Sequence, residues 1–400
     1  MRQAPAAVLL PAVVAIGLAL ADPALAQQTR EELLAAEQEQ KATELHPYVP
    51  TPAERRIEAV EKMLNSPRSL YPFIGSVFRG SLLAVGPGFR TRFASTGTFD
   101  VHGAWSLKNY KLAAAALTLP SAADGRLTAD LHASWVDAPK VAFYGPGPAS
   151  RPDDNSSFLF RSTTAGFSAA IRPMRLLNAG GGLDYLRIVT GPGTAGASIE
   201  QVFDDREATG LGAQPTYARG HLFAEIDWRE SAGYTRNGGR YRLDWYDYRQ
   251  SNDGGFGFRR FDAELDQFVP LLRENWVLAF RGLASVTNTD AGDAVPYFLM
   301  PDLGGSSQLR GYPSWRFRDR NRMLVTGEYR WTAGEFVDMA IFVDAGKVTP
   351  HKRDLDFRGL NTSYGLGVRF HMAAASVLRV ELARTRHEGF AVVFGFGPVF

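Results

Sequence analysis

Short stretches in which apolar residues alternate with polar or small ones recur from Phe78 to Phe400, and turn-forming residues separate them. From Tyr364 to His371 the large apolar side chains share one parity, while glycine, arginine and histidine occupy the other. Successive side chains of a strand point to opposite faces. The chain is therefore predicted to be a succession of β-strands, each apolar on one face only.

We predict about sixteen antiparallel strands within residues 78–400. Five follow a central loop: Asn321–Trp331, Phe336–Gly346, Asn361–His371, Val377–Arg386 and Gly389–Phe400. The earlier ones are Arg79–Val85, Phe89–Ser95, Thr98–Leu107, Tyr110–Leu119, Leu127–Val136, Phe158–Arg172, Ala179–Val189, Tyr217–Arg229, Arg240–Gln250, Arg259–Val269 and Trp276–Thr287. Long connections, such as 190–216 and 288–320, alternate with short ones, such as 332–335, as extracellular loops and periplasmic turns do.

Apolar runs beyond the first residues are too short for a membrane helix, because a charged residue or glycine interrupts each within about a dozen residues. A protein that spans a bilayer without such helices must form a closed barrel. The 40 glycines and 12% aromatic residues suit a barrel with a wet lumen and aromatic girdles. The predicted fold class is thus all-β, a transmembrane antiparallel barrel, and the predicted location is a bacterial outer membrane.

The first residues have the pattern of a secretory signal. Arg2 precedes an apolar run, and Ala24-Leu25-Ala26 provides a small-residue cleavage site. We therefore assign residues 1–26 to a signal peptide and expect a protein that leaves the cytoplasm. The chain has no cysteine, which excludes disulfides, thiolate metal sites and a cysteine nucleophile.

Residues 27–77 are predicted to form a short helical segment before the barrel. Its second helix begins at Thr51-Pro52-Ala53-Glu54, which combines an N-cap, a first-turn proline and a capping-box glutamate. Two placements remain open, namely a solvated periplasmic arm and a plug inside the barrel lumen.

Charge and histidine spacing exclude several function classes. The 44 basic residues nearly balance 42 acidic ones, so a nucleic-acid partner is not expected. The seven histidines lie at no metal-ligand spacing, so no metal is predicted. His387-Glu388 is the only place where a histidine adjoins a carboxylate, and we interpret this pair as part of an ordinary turn. The glycine-rich segments are not predicted to be phosphate-binding loops, because no helix follows them. We predict no cofactor and no enzymatic activity.

The central loop carries the sequence GGSSQLRGY from Gly304 to Tyr312, between two amphipathic strands. The glycines permit a tight, folded-in path. The second strand after this loop contains Phe342, Asp344 and Gly346 on one face, with the small apolar residues between them on the other. An arginine on the loop and a lumenal aspartate are therefore available to each other.

These two motifs resemble those of the BamA/TamA type of outer-membrane barrel, the bacterial surface antigen family. That family has an R-G-[FY] loop motif and an F-x-D-x-G strand motif, which match Arg310-Gly311-Tyr312 and Phe342, Asp344 and Gly346. The resemblance covers Phe78 to Phe400. It departs from the family before the barrel, where the interval is shorter than one periplasmic POTRA module and no such module fits.

The resemblance implies a loop-lock role for these residues. Arg310 would pair with Asp344 and fasten the loop tip to the inner wall, with Glu328 on the neighbouring strand as a further member. A guanidinium facing a carboxylate in a low-dielectric wall makes a charge-assisted and potentially bidentate link.

The resemblance also implies a function in inserting, assembling or translocating outer-membrane components through a lateral seam between the first and last strands. Glycines make the first strand short, and Gly395, Gly397 and Pro398 weaken the closing end. The face of the last strand that carries Phe396 and Phe400 is expected to meet lipid. The expected partners are outer-membrane lipid and unfolded barrel clients or periplasmic proteins. The alternative is a passive pore or structural barrel with a fixed seam.

Overall fold

A computed structural model describes residues 69–252, 254–271, 275–372 and 376–400. The predicted signal peptide, residues 1–26, lies outside these ranges. So does most of the predicted helical segment, residues 27–68. In the described part of the chain, no helix is long and apolar enough to cross a membrane.

Sixteen barrel strands of 6 to 17 residues account for most of the described residues. In chain order they are β1 Leu70–Gly75, β2 Ala84–Phe93, β3 Gly97–Ser106, β4 Lys111–Thr118, β5 Leu127–Phe143, β6 Ser156–Ile171, β7 Leu177–Pro192, β8 Thr216–Asp227, β9 Gly238–Gln250, β10 Phe258–Leu271, β11 Trp276–Asn288, β12 Asn321–Gly334, β13 Val337–Thr349, β14 Asn361–His371, β15 Ser376–Thr385 and β16 Gly389–Phe396.

Each of these strands pairs antiparallel with the next strand along the chain, from β1 with β2 through to β15 with β16. The result is a nearly closed antiparallel barrel of sixteen strands in the described ranges. The predicted fold class and strand number are confirmed. Closing the sheet on itself removes almost all of the unpaired edge that an open sheet of this length would expose.

The two faces of the strands have opposite chemistry. Exposed apolar side chains cover the outside, for example Val343, Tyr364, Leu366 and Phe394, each more than half exposed. Charged and polar side chains of the same strands turn inward and are buried, as Asp344 on β13 illustrates. The alternation predicted from the sequence is therefore the alternation between lipid and lumen.

The beginning of the barrel corrects two predictions. The barrel starts at Leu70 rather than at Phe78, so the end of the predicted helical segment 27–77 is a strand. Its sequence, LYPFIG, contains Pro72, and a proline argues against a strand unless that strand lies at an edge. β1 pairs with β2 and with no other of the described barrel strands, so it is an edge strand.

The predicted strands Arg79–Val85 and Phe89–Ser95 are replaced by one hairpin loop, residues 76–83, and the single strand β2. Gly80 (φ 74°) and Leu82 (φ 63°) adopt left-handed conformations that a strand does not allow. Gly86, which lies between the two predicted strands, is inside β2. A Cβ there would stand 1.8 Å from the carbonyl oxygen of Gly103, so glycine serves close strand approach rather than a turn.

Long connections gather at one end of the barrel and short ones at the other, which identifies the extracellular and periplasmic ends. The long loops include residues 144–155, 193–215, 289–320 and 350–360. Smaller elements lie in or beside them: strand Ala197–Ser198, helix Ile199–Val202, and 3-10 turns Pro152–Asp154, Tyr297–Leu299 and Lys352–Asp354. Loop 289–320 contains a two-stranded ribbon, Asp302–Leu303 with Phe317–Arg318, and it is the loop that carries the candidate site.

Candidate functional site

Loop 289–320 folds into the lumen and presents its tip to the wall. Three glycines with positive φ shape the path: Gly304 (118°), Gly305 (93°) and Gly311 (86°). Between them the Gly305 amide donates to the Tyr312 carbonyl at 2.9 Å, which closes the tip on itself. Leu303, Leu309, Tyr312 and Phe317 of the loop then form a buried apolar cluster with wall residues Leu283, Leu324 and Val348. Burial of this cluster holds the base of the loop in the lumen.

The tip residue Arg310 is fully buried and lies against Asp344 of β13. Its Nε donates to Asp344 Oδ2 at 2.8 Å and its NH2 donates to Oδ1 at 2.7 Å. The Arg310 backbone amide adds a third bond to Oδ2 at 3.0 Å. The structure thus places the guanidinium and the carboxylate in the two-pronged arrangement that makes arginine–carboxylate pairs strong.

The third nitrogen of the Arg310 guanidinium, NH1, contacts two glutamates. It donates to Glu328 Oε1 at 2.5 Å and to Glu381 Oε1 at 3.1 Å. Glu328, on β12, is where the sequence placed it, while Glu381, on β15, was missed. A lumenal carboxylate on β15 could have been found from strand alternation, because Glu381 lies between the lipid-facing positions of its strand.

Three further arginines that the sequence analysis missed complete the charge balance. Arg330 and Arg369 donate to the two oxygens of Glu328, each at 2.7 Å, and Arg379 donates to Glu381 at 3.0 Å. Four buried guanidiniums therefore surround three buried carboxylates. Such a network is stable only because nearly every charge has a partner inside the low-dielectric wall.

The other motif residues shape the space around Arg310. The ring of Phe342 lies under the guanidinium, with 3.5 Å from Arg310 Cζ to the ring centroid. A Cβ on Gly311 would stand 2.9 Å from Ala383 and Thr385, and one on Gly346 would stand 2.7 Å from the Met323 carbonyl oxygen. The two glycines therefore permit close approach of the loop tip and the wall. Tyr312 is buried and packs edge-on against Phe317.

A second feature of the site is the seam between β1 and β16. All other neighbouring barrel strands share a register of paired residues, but within the described ranges no register joins these two. β1 has six residues and β16 has eight. Both strands therefore present an edge with unpaired backbone groups at the same place in the wall.

The end of the chain corrects the prediction for the last strand. β16 ends at Phe396, which faces lipid as expected. Phe400, by contrast, is 8% exposed and stacks on Phe268 of β10, with 5.7 Å between the ring centroids. Gly397 (φ 73°) turns the backbone and Pro398 cannot donate to a ladder, so the strand stops there. Phe400 is therefore not part of the lipid-facing row.

Polar contacts hold this tail at the periplasmic end of the lumen. Arg379 Nε donates to the Gly397 carbonyl at 2.9 Å and Arg281 NH1 donates to the Val399 carbonyl at 3.4 Å. Beside it, the periplasmic loop 228–237 sends Tyr234 to Asp338, to which its hydroxyl donates at 2.7 Å. Burial and this hydrogen bond raise the pKa of Tyr234 to about 12, so it remains a donor. Tail and loop together narrow the periplasmic mouth.

Three histidines with no predicted role lie beside lumenal aspartates, and each pair is joined at 2.8 to 2.9 Å: His102 with Asp100, His132 with Asp184, and His221 with Asp244. In the described part of the chain, no group of three or more histidines and carboxylates could hold a metal ion. These pairs belong to the polar lining of the lumen.

Comparison with known proteins supports the interpretation of the motifs. Residues 249–396 match the Omp85 superfamily domain. The fold is similar to BamA from Haemophilus ducreyi lacking POTRA domains 1-3, with a TM-score of 0.61 and 13% identity, covering 88% of this chain and 78% of that one. It is also similar to CdiB from Escherichia coli, with a TM-score of 0.52 and 14% identity, covering 86% of this chain and 67% of that one. A search of curated protein sequences finds no match.

The resemblance predicted from the two motifs is confirmed. The matched region contains both the strand motif and the loop that carries Arg310, so the part of the chain with both motifs is similar to the Omp85 superfamily domain, and the protein is a barrel of the bacterial outer membrane. The loop-lock role of the motif residues rests on the contacts described above and remains a proposal.

Proposed function

We propose that this barrel inserts, assembles or translocates other outer-membrane proteins through the seam between β1 and β16. The observation that carries the proposal is that no register joins β1 and β16 within the described ranges, whereas every other pair of neighbouring barrel strands shares a register of paired residues. Opening such a seam requires no strand ladder to be broken.

The seam offers what an incoming strand needs. Unpaired N–H and C=O groups at a sheet edge are a template for adding a strand from another chain. β1 is short and contains Pro72, which lacks an N–H donor. At the other flank, the chain beyond Phe396 leaves the sheet and enters the lumen, so it cannot extend the pairing of β16.

The lumen favours a lateral route over a central one. Loop 289–320 places a fully buried arginine and an apolar cluster inside the barrel, and the tail and loop 228–237 narrow the periplasmic end. A passive pore would need a continuous aqueous path past both obstructions. The lock at Arg310 keeps the loop at a fixed place while the seam opens, so that the wall on the β12–β15 side remains rigid.

The partners follow from the surfaces. The exposed apolar belt takes outer-membrane lipid, and the seam takes an unfolded barrel client whose strands are apolar on one face. A periplasmic protein would deliver that client. The part of the predicted helical segment that precedes the described residues, 27–68, is a candidate for receiving it.

The test is reconstitution in liposomes with an unfolded barrel client. We expect the client to fold several-fold faster than in liposomes that hold an equal amount of an unrelated, fully paired barrel. Removing the lock by Arg310→Ala should reduce that rate. Arg353→Gln is the matched control, because Arg353 is an exposed outer-loop arginine whose ion pair with Asp354 is loose at 3.7 Å. Equal client folding in both kinds of liposome contradicts the proposal and favours a passive or structural barrel.

A further inference from the structure

We infer that loop 289–320 is a clasp across the seam, and that Arg79, Asp302, Trp315, Arg316 and Glu388 are the residues that form it. The inference rests on the proposed opening of the seam and concerns how that opening is controlled. The clasp is distinct from the lock: the lock joins the loop to the wall at β12, β13 and β15, whereas the clasp joins the two hairpins that flank the seam at its extracellular end.

On the first flank, hairpin 76–83 connects β1 to β2 and is held by both arms of the loop ribbon. Arg79 forms an ion pair with Asp302 of the first arm. The Arg79 guanidinium also lies over the ring of Trp315 beyond the loop tip, 4.1 Å from Cζ to the centroid. Trp315 stacks on Phe78 of the same hairpin at 5.5 Å. A cation–π contact, an aromatic stack and an ion pair thus converge on two adjacent hairpin residues.

On the last flank, turn 386–388 connects β15 to β16 and is held by the next loop residue. Arg316 is 3% exposed, and its Nε donates to Glu388 at 2.5 Å. The other nitrogens of Arg316 donate to the Ser150 hydroxyl and carbonyl, each at 2.8 Å, which orients the guanidinium. Trp315 and Arg316 are consecutive, so a single peptide unit of the loop connects the two flanks.

The backbone at this point is strained in a way that fits such a role. Trp315 has φ 68°, a left-handed conformation that a bulky side chain rarely adopts. The conformation directs Trp315 to the first hairpin while Arg316 reaches the last one. Strain of this kind persists only where the surroundings determine the geometry, and it concentrates at functional elements.

Because β1 and β16 share no register in the part of the chain that the structure describes, no strand ladder there holds the flanks together at the extracellular end. The loop contacts do so instead. Movement of the first hairpin away from Asp302 and Trp315 would release Arg79 and separate the flanks, while the Arg310 lock stays closed and the loop stays in place. The clasp contacts of the loop therefore control how far β1 and β16 separate at the seam.

The test measures the width of the seam directly. The chain has no cysteine, so Val85→Cys on β2 and Phe390→Cys on β16 introduce the only two thiols, at exposed lipid-facing positions. Spin labels on both thiols report the distance between the flanks in proteoliposomes by double electron–electron resonance. Trp315→Ala should shift the distance distribution to longer values and broaden it. Glu388→Gln should have the same effect, although it removes the charge and leaves the size of the side chain almost unchanged. Arg353→Gln should leave the distribution unchanged.

Folding is checked by heat-modifiable migration on gels, and Arg79→Gln replaces any variant that does not fold. An unchanged distribution in folded Trp315→Ala and Glu388→Gln overturns the clasp. The distance readout needs no client, so it is separate from the proposed function. If the variants widen the seam but client folding is no faster than in control liposomes, the clasp stands and the insertion role falls.

Discussion

Removal of the Arg310 side chain tests the lock most sharply. Arg310→Ala deletes the two bonds to Asp344 and the bonds to Glu328 and Glu381, all inside the wall. Breaking a buried ion pair by deleting one partner costs about 3–5 kcal/mol. The carboxylates left behind keep other donors, for example Thr326 to Asp344 at 2.9 Å. We therefore expect a loss at the lower end of this range, about 3 kcal/mol of the free energy that holds the loop against the wall. The undocked state of the loop should then be populated roughly a hundredfold more often.

The assay is amide hydrogen exchange across residues 304–312 in detergent or nanodiscs. Exchange of the Gly305 amide, which donates to the Tyr312 carbonyl, should accelerate in Arg310→Ala. The strands should keep their protection, because their ladders do not depend on this side chain. Arg353→Ala, at the exposed outer loop, should leave exchange at residues 304–312 unchanged.

A double-mutant cycle then decides whether Arg310 and Asp344 act together. Asp344→Ala alone leaves a buried arginine short of its principal partner, whereas the double variant leaves neither charge unpaired at that contact. The double loss should be smaller than the sum of the single losses by about 2 kcal/mol, within the range for residues in one network. Losses that simply add would refute the pairing.

Two substitutions test the shape of the site. Gly311→Ala should loosen the loop by about 1–2 kcal/mol, because a Cβ there meets β15 at 2.9 Å, and exchange at residues 304–312 should rise. Gly359 also has a positive φ, 63°, but open space around it, so Gly359→Ala should cost less stability than Gly311→Ala. Equal losses in the two variants would show that backbone conformation, and not the contact with β15, sets the cost. Phe400→Ala removes the contact with Phe268 and should cost about 3–5 kcal/mol of stability. Its thermal midpoint should therefore fall further than that of Phe396→Ala, whose side chain faces lipid. A smaller effect of Phe400→Ala than of Phe396→Ala would contradict the inward placement of the tail.

Much of the fold could be predicted from sequence, because a barrel strand repeats one simple pattern. Alternation between lipid and lumen gave the strand number and most strand positions within a few residues. It failed where glycine and proline have two meanings. Gly86 lies within β2 where a neighbouring backbone approaches, and Pro72 lies within an edge strand. A single sequence does not distinguish these roles from turns.

The lock was predictable only in part. Motif spacing and parity bring Arg310, Asp344 and Glu328 together, because those residues lie on adjacent strands and one loop. Glu381 and Arg379 belong to a strand further around the barrel, and their approach depends on barrel curvature and on how deeply the loop enters. The inward turn of Phe400 depends on the backbone conformation of Gly397 and on apolar contacts with residues of β10 and β11. The alternating pattern of β16 contains no signal for either.

The measurement that tests the central claim most directly is a lock placed on the seam itself. One cysteine in Leu70–Gly75 and one in Gly389–Phe396 introduce a crosslinkable pair into a chain with no other thiol. A pair that is too far apart for a disulfide can be joined with a short bifunctional maleimide, which serves as the permanently locked form.

Client folding and ion conductance are then measured on the same protein, open and crosslinked. The account predicts that oxidation abolishes the acceleration of client folding and that reduction restores it, because the incoming strand needs the two edges to separate. A passive pore would keep its conductance when locked, since its path runs through the lumen. Client folding that continues unchanged in the crosslinked protein would contradict the lateral route.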